Sequence, residues 1–126
     1  MITPKRAQGD WGEEKAVEFL LKKGYDIVTR NFRVKMGELD AVAWHKKHHF
    51  GMTLCFIEVK TRGENDGSAE RATQGKKMPR LLFTAKQYCL AHGIRIDTVP
   101  IQFEQVSVFP NGDGAAEMKH DVIPID

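Results

Sequence analysis

Gly37-Glu38-Leu39-Asp40-Ala41-Val42-Ala43-Trp44 and Phe56-Ile57-Glu58-Val59-Lys60-Thr61-Arg62 decide the reading of this chain. Each is an apolar strand pattern interrupted by charge. Successive side chains of a strand point to opposite faces, so Glu58 and Lys60 share one face while Ile57 and Val59 share the other. The same alternation puts Asp40 and Val42 on one face, opposite Leu39 and Ala41. The segment between them, His45 to Thr53, is short, polar and contains a glycine, which predicts an antiparallel hairpin. A turn centred near residue 49 sets residue i against residue 98 − i, and so Asp40 against Glu58. Directly opposed like charges destabilise a sheet. Two carboxylates and a lysine in one patch therefore ask for a further partner, and a divalent cation suits them.

Outward from this hairpin the chain reads as a single domain of 126 residues, with a core over 9–109 and a tail over 110–126. At 41% hydrophobic and 29% charged, it has the apolar content to bury a core, unlike a disordered polar chain. No run approaches the ~18 apolar residues of a membrane span, and Met1 to Arg6 lacks the apolar stretch of a signal peptide. Cys55 and Cys89 lie in apolar segments and read as small buried hydrophobes in a reducing compartment. The expectation is a cytoplasmic protein with no membrane association. The net charge of +2 says little as a total, but Arg33, Lys60, Arg62, Lys76, Lys77 and Arg80 fall in the first two-thirds of the chain. If acids are gathered into a metal site, the surrounding surface is basic enough for a polyanion. A mixed solvated surface explains the same charges.

Asp10 to Lys23 is predicted as a helix on the spacing of Ala16, Val17, Leu20 and Leu21, ended by Gly24. Its apolar stripe, extended backwards, lands on Glu13. Two readings stand: Asp10-Trp11-Gly12-Glu13 as a capping box, or Glu13 as a functional acid. An earlier start, with Thr3 as cap and Pro4 at the first helical position, is a further option. Tyr25 to Arg33 is strand-like, and Val34 to Gly37 a turn. His45, His48 and His49 read as solvated loop histidines at the hairpin tip. Gly63 to Gly75 reads as a mobile loop, a lid or substrate-contacting segment. Lys76 to His92 is the second helix, with an apolar stripe of Leu81, Leu82, Ala85, Tyr88 and Cys89, Pro79 in its first turn and Gly93 at its end. Arg95 to Phe109 is a β region divided by Pro100, and Met118 to Ile123 a last short strand pairing back.

The acids Glu13 and Asp40 and the Glu58-x-Lys60 pair, on helix, strand and strand in that order, resemble the active site of the PD-(D/E)XK nuclease superfamily. The phrases Gly9–Ala16 (GDWGEEKA), Gly24–Arg33 (GYDIVTRNFR), Gly37–Asp40 (GELD) and Phe56–Arg62 (FIEVKTR) look more closely like the YraN family within it. These are small bacterial proteins predicted to be endonucleases, similar in layout to archaeal Holliday-junction resolvases. The resemblance runs from about Gly9 to Val99. Leu39 stands where the superfamily's pattern carries its proline.

The resemblance implies an α/β, restriction-endonuclease-like three-layer core, a mixed sheet flanked by helices in the order α-β-β-β-α-β. It implies hydrolysis of phosphodiester bonds in DNA rather than RNA, with structured or branched DNA as one option. Glu13, Asp40, Glu58 and Lys60 would be catalytic. Mg2+ or Mn2+ would be held by Asp40, Glu58 and the Val59 backbone carbonyl, with Glu13 acting through a water or a second ion. Glu38, on Asp40's face beside the turn at Gly37, stands behind them. Basic contacts to the nucleic acid would come from Arg33, Arg62, Lys76, Lys77 and Arg80, with spacing to Leu81 favouring Lys77 over Lys76. A junction-resolving role would favour a homodimer. The competing expectation is a nucleic-acid-binding or scaffold module that keeps the fold without turnover.

Overall fold

The computed structural model describes residues 4–62 and 77–125, without the side chains of 4–6 and 77. In chain order the elements are α1 (Pro4–Lys22), β1 (Asp26–Val34), β2 (Gly37–Lys47), β3 (Gly51–Thr61), α2 (Lys77–Ala91), β4 (Ile101–Pro110) and β5 (Ala116–Ile123). The five strands form one sheet in sequence order. All neighbours are antiparallel except β3 and β4, which are parallel and joined through α2. The result is a mixed sheet between two helices, consistent with the expected restriction-endonuclease-like core.

Two apolar clusters hold the layers together. Under α2 lie Leu39, Val42, Leu54, Phe56 and Phe103 with Leu81, Ala85, Tyr88 and Cys89 of the helix. Under α1 lie Ala41, Ala43, Cys55, Ile57, Val106 and Val108 with Ala16 and Leu20. β3 supplies Leu54 and Phe56 to one cluster and Cys55 and Ile57 to the other, the mark of a central strand covered on both faces. Fully burying one such side chain is worth about 1.5–3 kcal/mol. Both helices end alike. Gly24 (φ 88°) and Gly93 (φ 66°) take the left-handed conformation, and the next amides, Tyr25 and Ile94, bond back to the Leu20 and Cys89 carbonyls at 3.0 and 2.9 Å.

The β2–β3 register matches the hairpin arithmetic. Every pair from Ala41↔Ile57 to Lys47↔Gly51 sums to 98. The connection, read as His45 to Thr53, is shorter still. His45 is not a loop residue: it pairs with Thr53 inside the ladder and stacks on Tyr25, ring centroids 3.9 Å apart. Its alternation with Ala43 carries the strand to Lys47, so only the turn at 48–50 is left outside.

Three other boundaries differ from the sequence reading. α1 begins at Pro4, the earlier of the two starts considered, so Asp10 lies inside the helix and Asp10–Glu13 is not a capping box. The region after α2 becomes a strand only at Ile101. Arg95 to Val99 instead closes a turn, with the Thr98 and Val99 amides on the Arg95 carbonyl, and Pro100 has no amide to give a ladder. The last strand is longer than Met118–Ile123, pairing with β4 from Ala116. Gly63 to Gly75 lies outside the described residues. No described helix is long and apolar enough to cross a membrane.

Candidate functional site

The site lies where the β2–β3 ladder stops. The last backbone pair towards the open end of the hairpin is Ala41↔Ile57. Two residues beyond Ile57, the Val59 amide donates not to a backbone carbonyl of β2 but to Asp40 Oδ2, at 2.7 Å. A carboxylate thus replaces a rung of the ladder. Strict alternation fails here. Leu39 joins the cluster under α2 while Ala41 joins the cluster under α1, although both are odd-numbered. The break is shared with β1, where Asn31, between the pairs Arg30↔Ala41 and Phe32↔Leu39, has φ 54°. Asn tolerates this left-handed conformation better than most residues. Asp40 is therefore not simply on Val42's face, as alternation predicts. It reaches towards β3 with one oxygen while its carboxyl meets α1.

From α1 comes Glu13, whose carboxyl shares a hydrogen bond with Asp40. α1 can approach this closely because Gly12 is bare: a Cβ there would collide with the Thr61 hydroxyl. From β3 come Glu58, buried, and Lys60, its Nζ 3.7 Å from Glu58 Oε1. They share a face, as the period of two requires. Glu58 and Lys60 line a pocket of about 190 Å3 together with Glu38 of β2 and Arg80, Leu81 and Thr84 of α2. A second glycine sets its width. A Cβ at Gly37 would collide with the Thr84 hydroxyl, which itself bonds to the Arg80 carbonyl at 2.7 Å.

The electrostatics follow first from burial and then from the neighbouring acids. Burial pushes the Asp40 carboxyl up from 3.8 to about 7; the Val59 amide opposes this, and the charges of Glu13, Glu58 and Glu38 add to it. Burial likewise raises Glu13 above its ordinary value, more than its hydrogen bond to Asp40 lowers it. Both carboxyls are thus easier to protonate than exposed ones. A cation there would offset their charge without a proton. Among the described residues, no three His, Cys, Asp or Glu side chains stand close enough to form a ready-made metal cage. The donors are hard oxygens in small number, which suits an ion that keeps several of its waters.

The basic residues distribute unevenly. Arg80 is at the pocket. Arg33 is exposed at its rim, paired with Glu38 at 3.1 Å. Arg62 follows Lys60 at the end of β3, its amide on the Val108 carbonyl at 2.8 Å. Lys76 and the Lys77 side chain lie outside the described residues.

A second polar cluster was not anticipated. Glu104 on β4 is 0% exposed, yet its Oε1 accepts from Tyr25 (2.7 Å) and meets His120 (2.6 Å), and its Oε2 accepts from Lys47 (2.9 Å) and Gln102 (3.0 Å). Burial alone would raise its pKa; these hydrogen bonds outweigh burial and hold it at about 2. The cluster ties β4 and β5 to the hairpin tip and to the residue before β1.

The family model described as "Uncharacterised protein family UPF0102" matches residues 12–101, which contain all four proposed catalytic residues. The chain belongs to this family, the YraN family of the sequence resemblance. A UPF0102 protein of Desulforamulus reducens is 34% identical over 122 residues, covering 95% of this chain and 96% of its own length. One from Syntrophotalea carbinolica is 37% identical, covering 95% and 92%. A third, from Caldicellulosiruptor saccharolyticus, is 57% identical over a shorter stretch of 58 residues, 46% of this chain and 45% of its own.

Proposed function

We propose that this protein is a Mg2+- or Mn2+-dependent nuclease that hydrolyses phosphodiester bonds in DNA. The observation that carries this reading is the broken rung. Asp40 leaves the ladder beside Glu58 and Lys60, Glu13 arrives from α1, and burial, with the neighbouring acids adding to it, raises the pKa of Asp40. The same set, in the same order along the chain, characterises the nuclease superfamily that the sequence resembles. Asp40, Glu58 and the Val59 carbonyl would hold the ion, and Glu13 would act through a water or a second ion. A divalent cation there supplies positive charge to the scissile phosphate and acidifies a water. Lys60 orients the attacking water and offsets the negative charge that develops on the phosphate. Arg80, Arg33 and Arg62 offer the backbone phosphates cationic contacts around the pocket, with Lys76 and Lys77 as further candidates from the start of α2. A branched substrate would call for two copies about a two-fold axis, each cutting one strand.

One observation favours a second reading, a DNA-binding module without turnover: the described acids do not form a preformed cage. Cleavage separates the two. Labelled linear, gapped and branched DNAs are incubated with Mg2+ or Mn2+ and with a chelator. The nuclease gives products only with metal, and Asp40→Ala, Glu58→Ala and Lys60→Ala abolish them while circular dichroism is unchanged. The binding module gives no product under any metal, with salt-sensitive binding that survives the same substitutions.

A further inference from the structure

Beside the pocket, on the α1 side of the same end of the sheet, is an open groove of about 420 Å3. Its walls are Ala7, Gln8 and Trp11 of α1 facing Pro110, Gly112 and Gly114 of the β4–β5 turn. The volume is within the range of about 300–1,000 Å3 found for small-molecule sites. Trp11 is anchored from behind, packed against the apolar cluster under α1. The opposite wall is nearly bare backbone: Gly112 and Gly114 have φ 85° and 86°, a conformation that side-chain-bearing residues rarely adopt. That wall is also pinned. The Asn111 amide bonds to the Ala115 carbonyl at 3.1 Å, and the Ala115 amide to Asp113 Oδ1 at 3.0 Å. An anchored indole across from a wall with few side chains leaves room for a planar ring.

Its position says which ring. Gly12, next to Trp11, is pressed on Thr61, next to Lys60. Thr61 pairs with Val108, two residues before Pro110. Thr61 faces α1 and Lys60 faces the α2 pocket, so the groove and the residues proposed to hold the scissile phosphate lie on opposite faces of the same end of the sheet, with Trp11 two residues before Glu13 on α1. Lys15 Nζ lies over the Trp11 ring, 5.8 Å from its centroid, and 3.8 Å from Glu18 Oε2, an exchangeable surface pair that keeps a cation near the groove. Every nucleobase has a π-face, and stacking on an aromatic side chain is sequence-tolerant.

We infer that the Trp11 groove stacks an unpaired nucleobase of the DNA strand, so that the preferred substrate carries unpaired nucleotides beside the scissile phosphate. A base inside a continuous duplex must first be unstacked, at a cost of a few kcal/mol; one at a gap, flap or branch is already free. The inference rests on the DNA-cleaving reading of the adjacent site, and its test is separable from it.

The test is fluorescence anisotropy of two labelled oligonucleotides, a continuous duplex and the same duplex with a short single-stranded gap. Calcium replaces magnesium to suppress cleavage. Wild type should bind the gapped DNA more tightly. Trp11→Ala should weaken binding of gapped DNA about tenfold, within the range for one base–aromatic stack, and leave duplex binding unchanged. Trp11→Phe should keep most of the preference. Ala7→Leu, which fills the groove from an exposed helix position and leaves Trp11's packing alone, should reproduce the selective loss even if Trp11→Ala fails to fold. Wild-type affinity for gapped DNA in Ala7→Leu, or equal losses on both DNAs, overturns the inference. A parallel cleavage assay in Mn2+ separates the two readings. No product, with the groove-dependent preference intact, refutes the catalytic reading alone; metal-dependent cleavage with binding insensitive to the groove refutes the inference alone.

Discussion

Asp40→Asn should make the metal-free protein more stable above neutral pH. In the folded protein the Asp40 carboxyl sits at about 7, against its ordinary 3.8. A displacement of that size corresponds to roughly 4 kcal/mol between the protonated and ionised forms. The sign follows from proton binding. Between these two values the folded state holds a proton that the unfolded state has lost, so stability falls as pH rises through the window and then levels off. Asparagine is neutral at every pH, and its Oδ1 can still accept the Val59 amide that Asp40 Oδ2 takes at 2.7 Å. Asp40 is only part-buried, so about half of the full figure, ~2 kcal/mol, is expected to return. For a chain of this size that is roughly 6–10 °C in melting temperature. The assay is thermal unfolding of both proteins with chelator at pH 4 and pH 8. The advantage of Asp40→Asn should be near zero at pH 4 and full at pH 8. The same difference at both pH values, or a less stable mutant at pH 8, would refute the claim that buried, neighbouring acids strain this site.

Other substitutions probe the scaffold and its second cluster. Gly12→Ala should cost about 1–3 kcal/mol in urea unfolding, because its Cβ meets the Thr61 hydroxyl, and Thr61→Ala should restore most of the loss. Glu104→Ala leaves Lys47 and His120 around a buried hole, and should cost about 3–5 kcal/mol. Because the Glu104 carboxyl is held at about 2, below its ordinary 4.5, its contribution is present above 4.5 and lost as pH falls through that window; acid unfolding of wild type against Glu104→Gln checks this.

Much of this was legible because it is local. The hairpin register followed from the position of its turn, the core stripe of α2 from its 3.6-residue period, and the sharing of a face by Glu58 and Lys60 from the strand period. Where sequence reasoning failed, a local rule met a tertiary exception. Alternation assigned Asp40 to Val42's face because nothing adjacent to it shows that the ladder ends there. A hint is an asparagine, Asn31, inside a strand that also carries Ile27, Val28, Thr29 and Phe32. His45 was placed in a loop because its stacking partner, Tyr25, lies on a different segment. Glu104 bonds to Tyr25, 79 positions away, and a lone Glu between Phe103 and Gln105 gives no sign of it. The close approaches at Gly12 and Gly37 look, in sequence, like ordinary glycines beside acids.

If Asp40 and Glu58 hold a divalent cation against DNA, isothermal titration of Mn2+, at pH 8 with gapped DNA present, should show saturable binding in wild type that disappears in Glu58→Ala. Indistinguishable titrations of the two proteins, or no uptake by wild type with DNA in place, would contradict it.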